Sequence, residues 1–338
     1  MSSYIVNDNS IIKIICINEI TLRLKQEIGE YYQFVENIDS YDFTIYIFTE
    51  HEKYGKVTKR LATTTHFKEM LFFKERESII FVNCKKKEMI IFYDKINDNI
   101  IQFIGEIVIS IFGMMLEHRK YSFVHAACVE QNGNAIAIIG NRNSGKTTIL
   151  NALLQENYNF ICNSHLALRN NEDSIIVEGF PTRMGIRLET LNKIIKPEIR
   201  EKIIEKTEFK SRFGDCSSDN LKNYSTKKFN IKVNQIKEIY KVQLVKRATL
   251  KLMIIPVYNT QFTSMRVKEM NGREKYEIIA ENRRIGIYDS VKYLKTIDNN
   301  VNKIVKIPTN MEKIKMLKVY QNEHSMNELI NLIKSKLI

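Results

Sequence analysis

Residues 123–154 read FVHAACVEQNGNAIAIIGNRNSGKTTILNALL, and the segment 140–148 inside them, Gly-Asn-Arg-Asn-Ser-Gly-Lys-Thr-Thr, decides the fold. It is a full GxxxxGK[ST] match set between an apolar run, AIAII, and a run of helical character, TTILNALLQ. That strand, loop and helix order is what phosphate binding demands. Gly140 and Gly145 let the backbone wrap an anion with no Cβ in the way, so successive amides from Asn141, Arg142, Asn143 and Ser144 can point inward. The helix N-terminus adds partial positive charge. Lys146 is expected to neutralise the β and γ oxygens of ATP or GTP, and Thr147, followed by Thr148, to offer a hydroxyl to Mg²⁺.

Outward from the loop, the Gln131–Asn134 turn makes a hairpin of the runs Phe123–Val129 and Ala135–Ile139. A helix over 145–155 leads to a strand over Tyr158–Cys162, then to a second hairpin closed at Asn170–Asp173 and a turn at Gly179–Pro181. Helical periodicity follows over Leu188–Lys206. A strand over Lys251–Val257 and a closing helix over Ser325–Leu337 complete this half. Gly214–Asp219 reads as a loop.

Upstream, short runs such as IIKIICI, FTIYIF, SIIFVNC and EMIIFYD make residues 1–97 a β-rich region of mostly antiparallel strands, with a hairpin over 78–94. A helix over 99–119 should pack beneath the nucleotide domain, which is taken to span 98–338. Its apolar part, 100–116, approaches the length of a membrane span but carries Gln102 and Glu106. A carboxylate there would cost about 2.5–3.5 kcal/mol in a bilayer, so a buried helix and no membrane span are expected.

No carboxylate-ended strand follows the loop to hold a metal, and no guanine-recognition tetrad of the Asn/Thr-Lys-x-Asp type occurs. The series from 123 to 154, followed by FICNSHLAL and VEGFPTRMGI, resembles the HPr kinase/phosphorylase superfamily over about residues 98–192. In that family a His opens the hairpin before the loop, the next strand ends in two acidic residues, and a Gly/Pro segment follows. The resemblance implies an α/β (α+β) fold, a phosphoenolpyruvate-carboxykinase-like P-loop core behind an N-terminal β-rich region. It implies a kinase similar to offshoots that phosphorylate Ser in small peptides, and it hints at homo-oligomers.

The chain departs from the family where the acids should stand: it has Asn163-Ser164, followed by His165. Neither Asn nor Ser is a carboxylate base. Three readings follow. His125 or His165 takes the hydroxyl proton, as an imidazole with pKa near 6.5 can; or the chain binds nucleotide without transfer; or residue 164 has been changed to trap a complex. Arg183 is expected to reach a phosphoryl group, and Glu189 stands where the family places a second metal carboxylate or serves simply as a helix-start Glu. His51, His66, His118 and His324 have no metal-like spacing.

With 338 residues, 44% of them hydrophobic and 27% charged, the chain is an ordinary folded protein of two domains. The net charge of +13 is spread as Lys throughout, Lys85-Lys86-Lys87 included, and reads as solvated surface more than as a nucleic-acid patch. Nucleic acid is not expected as a partner; a peptide or small protein is. Five cysteines without ligand spacing, and an N-terminus without a signal-peptide pattern, point to the cytoplasm.

Overall fold

Strands and helices alternate in a mixed α/β chain that divides into two units, Met1–Arg119 with Ile285–Ile304, and Lys120–Arg284 with Val305–Ile338. The computed structural model describes residues 2–49, 70–75, 78–83, 85–141, 143–207, 209, 228–259, 261–284, 307–322 and 324–337. His51, His66, Arg142 and the Gly214–Asp219 segment lie outside the described residues.

In the first unit, β1 (Ser2–Asn7), β2 (Ser10–Ile15), β3 (Gln33–Val35), β4 (Phe43–Thr49), β5 (Met70–Glu75), β6 (Ser78–Asn83) and β7 (Glu88–Tyr93) form one sheet in the order β3-β1-β2-β4-β7-β6-β5. The hairpin over 78–94 is present as antiparallel β6–β7, its turn passing through Lys87 at φ 53°. The interior differs from the mostly antiparallel layer expected, because β4 runs parallel to both neighbours, β2 and β7. A parallel neighbour needs a crossover. Between β2 and β4 the crossover contains α1 (Asn18–Ile28), a helix hidden in the sequence by flanking strands. It buries Ile20, Leu24 and Ile28, spaced one helical turn apart.

Helix α2 (Asp98–His118) is capped by Asn97, whose side chain accepts from the Ile100 amide at 2.9 Å. It belongs to this unit, so the division falls at Arg119/Lys120 and not at 97/98. The reason is packing against α1 and the turn after it: Arg23 Nη2 of α1 meets Asp98 Oδ1 at 2.6 Å, and Tyr32, just past α1, lies tilted against Phe112 with ring centroids 4.7 Å apart. By length and composition α2 could cross a bilayer, yet 78% of its apolar window is buried inside the protein. Glu106, 6% exposed, accepts from Gln102 Nε2 at 2.9 Å, as suits a core helix.

The second unit carries β8 (Ser122–Val124), β9 (Ala126–Gln131), β10 (Asn134–Ile139), α3 (Lys146–Gln155), β11 (Asn159–Cys162), β12 (Leu166–Asn171), β13 (Ser174–Gly179), β14 (Met184–Arg187), α4 (Leu188–Lys193), α5 (Pro197–Lys206), β15 (Lys228–Ile231), α6 (Val233–Tyr240), β16 (Arg247–Tyr258), β17 (Arg266–Glu269), α7 (Gly272–Glu281), β18 (Arg283–Arg284), β19 (Lys315–Gln321) and α8 (Met326–Leu337). The hairpin before the loop is β9–β10, turned by Asn132 and Gly133, both at positive φ. The run Phe123–Val129 is nevertheless not one strand. It breaks at His125, because β8 pairs with β12 and β18 while β9 pairs with β10 and β11. The helical periodicity over 188–206 also divides, with Pro197 at the first turn of α5.

Strand directions place the working edge. β9 is antiparallel to both β10 and β11, so β11 and β10 run together, and β16 and then β19 lie parallel to them. The C-terminal ends of these strands therefore emerge on one side, which is where open α/β sheets present a ligand crevice. Beneath it lies a core of small and branched residues, among them Ala126, Cys128, Ala137, Ile139, Ile161 and Met253.

Candidate functional site

β10 ends at Ile139 and the chain turns through Gly140 (φ 147°), Asn143 (φ 70°) and Gly145 (φ 100°) before α3 begins at Lys146. Left-handed backbone is open to Gly and tolerated by Asn, so the residue types follow from the path of the loop. Two atoms limit what could replace the glycines. A Cβ on Gly140 would lie 3.1 Å from Ser144 Oγ, and one on Gly145 would lie 3.3 Å from Gln321 Nε2. Lys146, 8% exposed, folds back so that Nζ donates to the Gly140 and Asn141 carbonyls at 2.7 and 2.8 Å. No acid stands in the first turn of α3, which leaves the positive helix end uncancelled.

The helix is anchored from below. Asn151, wholly buried, donates from Nδ2 to the Thr147 carbonyl at 2.6 Å and accepts from the Tyr240 hydroxyl. Burial pushes the Tyr240 phenol far above its ordinary range, so it stays a donor. Gln155 ties the far end of α3 to the 194–196 turn, donating to the Ile194 carbonyl at 3.2 Å and accepting from the Lys196 amide at 2.7 Å.

The loop opens on a cleft of about 710 Å³, within the range of small-molecule sites. Its walls include Gly140, Asn141, Asn143, Gly145, Lys146, Thr147 and Thr148 with His125, Asn163, Ser164 and Glu189, so most of the residues singled out in the sequence meet here. His125 sits at the break between β8 and β9; its amide donates to the Asn282 carbonyl at 2.9 Å. Its Nδ1 lies 3.0 Å from the Ser164 carbonyl. A carbonyl can only accept, so Nδ1 carries the proton and the lone pair of the neutral ring is on Nε2. The Ser164 hydroxyl is 3.5 Å from that of Thr182.

His165 and Arg183 are not among the lining residues. They stand just before β12 and β14. Arg187, one strand length beyond Arg183, lines the cleft instead and donates from Nη2 to Asn143 Oδ1. Glu189 is in the wall, but its carboxylate is held by Lys193 at 3.3 Å. No group of three or more His, Cys, Asp or Glu suited to a metal occurs among the described residues. A magnesium ion here would thus take its ligands mainly from nucleotide phosphates, water and the Thr147 hydroxyl.

Three buried oxygens in the loop and among the lining residues, Ser144 Oγ, Asn163 Oδ1 and Gln321 Oε1, have no hydrogen-bond partner among the described residues. Leaving a buried polar atom unmade costs about 1–3 kcal/mol, so such a set around one loop is what a ligand-binding wall shows. Gln321 is 2% exposed and, with Tyr258, marks the C-terminal ends of β19 and β16. Sequence reasoning missed these two, as it missed Arg187, Lys228, Glu281 and Arg283; only strand order, invisible in a lone sequence, brings them to the loop. Cys128 and Cys162 lie below the cleft, and burial raises both thiols far above the ordinary range, so neither serves as a nucleophile.

Searches of protein-family models and of curated proteins returned no match. Among solved structures the chain is similar to the Hpr(Ser) kinase/phosphatase from Coxiella burnetii, at 12% identity and a TM-score of 0.30, over 63% of this chain and 94% of that one. So distant a likeness leaves the function to be read from the cleft.

Proposed function

We propose that the protein is a Mg²⁺-dependent phosphotransferase that moves the γ-phosphoryl of ATP or GTP to a hydroxyl, a Ser of a peptide or small protein. The observation that carries this reading is the 140–148 loop, its left-handed turns and the Lys146 ammonium held on two loop carbonyls at 2.7 and 2.8 Å. Phosphates entering the loop replace those carbonyls as partners of Lys146, while loop amides and the α3 N-terminus take the remaining charge. Magnesium, when bound, neutralises charge shared between the β and γ oxygens. Arg187 fixes the rim through Asn143.

On the other flank, His125 and Ser164 form a wall against which the acceptor lies. The acceptor oxygen attacks γ-phosphorus, an O–P bond forms, and the bond from that phosphorus to the bridging oxygen breaks. The nucleoside diphosphate leaves with the electron pair, and the hydroxyl proton passes to a base in the cleft. Lys146, Arg187, Lys193, Lys228 and Arg283 outweigh Glu189 and Glu281 in the lining, which suits a polyanionic nucleotide. Buried free thiols at Cys16, Cys128 and Cys162 fit a reducing compartment such as the cytoplasm.

A second reading, a nucleotide-binding module without transfer, is favoured by the missing carboxylate at Asn163-Ser164. Incubation with γ-labelled ATP, Mg²⁺ and a library of Ser-containing peptides separates the two. Label on peptide, lost in Lys146→Ala, is expected; bound ATP with no transfer to peptide or water would leave the second reading.

A further inference from the structure

The chain has no acid at 163 or 164, where a proton acceptor was expected, yet the fold brings one to the same cleft from a distant part of the sequence. β18 docks on β8 with Arg283 opposite Val124, and the neighbouring Asn282 carbonyl takes the His125 amide at 2.9 Å. This pairing brings Glu281, the last residue of α7, into the lining of the cleft that also holds His125 and Ser164.

Two carboxylates line the cleft, and they differ. Glu189 is engaged by Lys193 at 3.3 Å. The Glu281 carboxylate has no ion pair or hydrogen bond among the described residues, although Lys146, Arg187 and Arg283 line the same space. It is an exposed charged group in the lining, open to a ligand and not engaged by the fold.

His125 is the competing base, and charge argues against it. Taking a proton would make its ring cationic in a cleft already crowded with Lys and Arg side chains, with Nδ1 committed to the neutral Ser164 carbonyl. A carboxylate becomes neutral on taking the same proton. In phosphoryl transfer a carboxylate can receive the acceptor proton.

We infer that Glu281 is the proton acceptor for the attacking hydroxyl, standing in for the acid absent at 163–164. This rests on the phosphotransferase reading above. In the step, the acceptor O–H bond breaks as O–P forms, the proton goes to a Glu281 carboxylate oxygen, and the γ-phosphorus to bridging-oxygen bond breaks with its electrons leaving on the diphosphate. Water serves as the acceptor in the simplest case, yielding inorganic phosphate.

The test uses the full chain, Mg²⁺·ATP, and two readouts: affinity by calorimetry and phosphate release with water as acceptor. Glu281→Gln is expected to bind Mg²⁺·ATP within about twofold of wild type while release falls about 100-fold, the usual scale of a lost general base. Ser164→Asp in the Glu281→Gln background is expected to restore release, which a merely structural role for Glu281 would not allow. Release retained in Glu281→Gln and lost in His125→Gln would overturn the assignment in favour of the imidazole. So would a loss that Ser164→Asp fails to mend, or a wild type that binds nucleotide and releases nothing. A wild type that binds no nucleotide sinks the phosphotransferase reading itself.

Discussion

Gly145 shows how much a single residue carries. It is held at φ 100°, with the Gln321 amide 3.3 Å from where a Cβ would stand. Gly145→Ala should therefore cost about 1–2 kcal/mol of stability through the left-handed backbone, and weaken nucleotide binding further by moving the amide that leads into α3. Chemical denaturation with and without Mg²⁺·ATP checks both effects; unchanged stability would mean that the loop relaxes to another path. Asn151 is the parallel case below the loop. Asn151→Ala removes a bond to the Thr147 carbonyl and leaves the buried Tyr240 hydroxyl without its acceptor, at an expected cost of about 1–3 kcal/mol. Tyr240→Phe in that background should recover part of the loss, and an additive double variant would contradict the pairing. These side chains are also where the sequence was least explicit: Gly140, Gly145 and Lys146 announce themselves by pattern, whereas nothing in the run around Gln321 or Glu281 marks it for the loop.

Among the elements, the strands and helices that flank the loop were legible because local periodicity and turn residues set them. β9–β10, α3 and the β12–β13 hairpin follow from runs such as AIAII and from the Asn-Gly and Asn-Asn-Glu-Asp turns. What stayed hidden depends on partners remote in sequence: the break at His125, the parallel setting of β4, and the short β14 that pairs with β15. Gly179 records one such approach, since a Cβ there would come within 2.4 Å of the Ile161 carbonyl oxygen. Gly179→Ala should destabilise by about 1–3 kcal/mol, as overpacking against backbone does. Helices α3 and α8 are joined by Glu156, which receives a hydrogen bond from Lys334 at 2.8 Å. That bond, with the nearby lysine charges, holds the Glu156 carboxyl below its ordinary pKa. Its folded-state value being depressed, the contribution is present above the unfolded carboxylate value and disappears as pH falls through the folded one. Melting curves of wild type and Glu156→Gln should therefore differ slightly at neutral pH and converge below about pH 4; a gap that widens on acidification would show the sign to be wrong.

For the whole molecule, two units arise from two separate cores, and the described residues lining the cleft all belong to the second. Apolar patterning foretold a β-rich beginning, and the 140–148 motif a strand, loop and helix in the remainder. The patterning misplaced α2, because its apolar length says that it is buried and not against what. Ligand should accordingly protect amides of the 140–148 loop, α3 and the 163–164 segment from hydrogen exchange while leaving β1–β7 unchanged. Protection spread evenly over both units would contradict a site confined to the second. The account depends above all on triphosphate binding at the loop. Calorimetric titration of the full chain with Mg²⁺·ATP and Mg²⁺·GTP tests this most directly: saturable 1:1 binding of one or both is predicted, weakened about 10- to 100-fold in Lys146→Ala as charge-assisted bonds worth about 1.5–3 kcal/mol are lost. No heat of binding with either nucleotide, or affinity indifferent to Lys146, would contradict it.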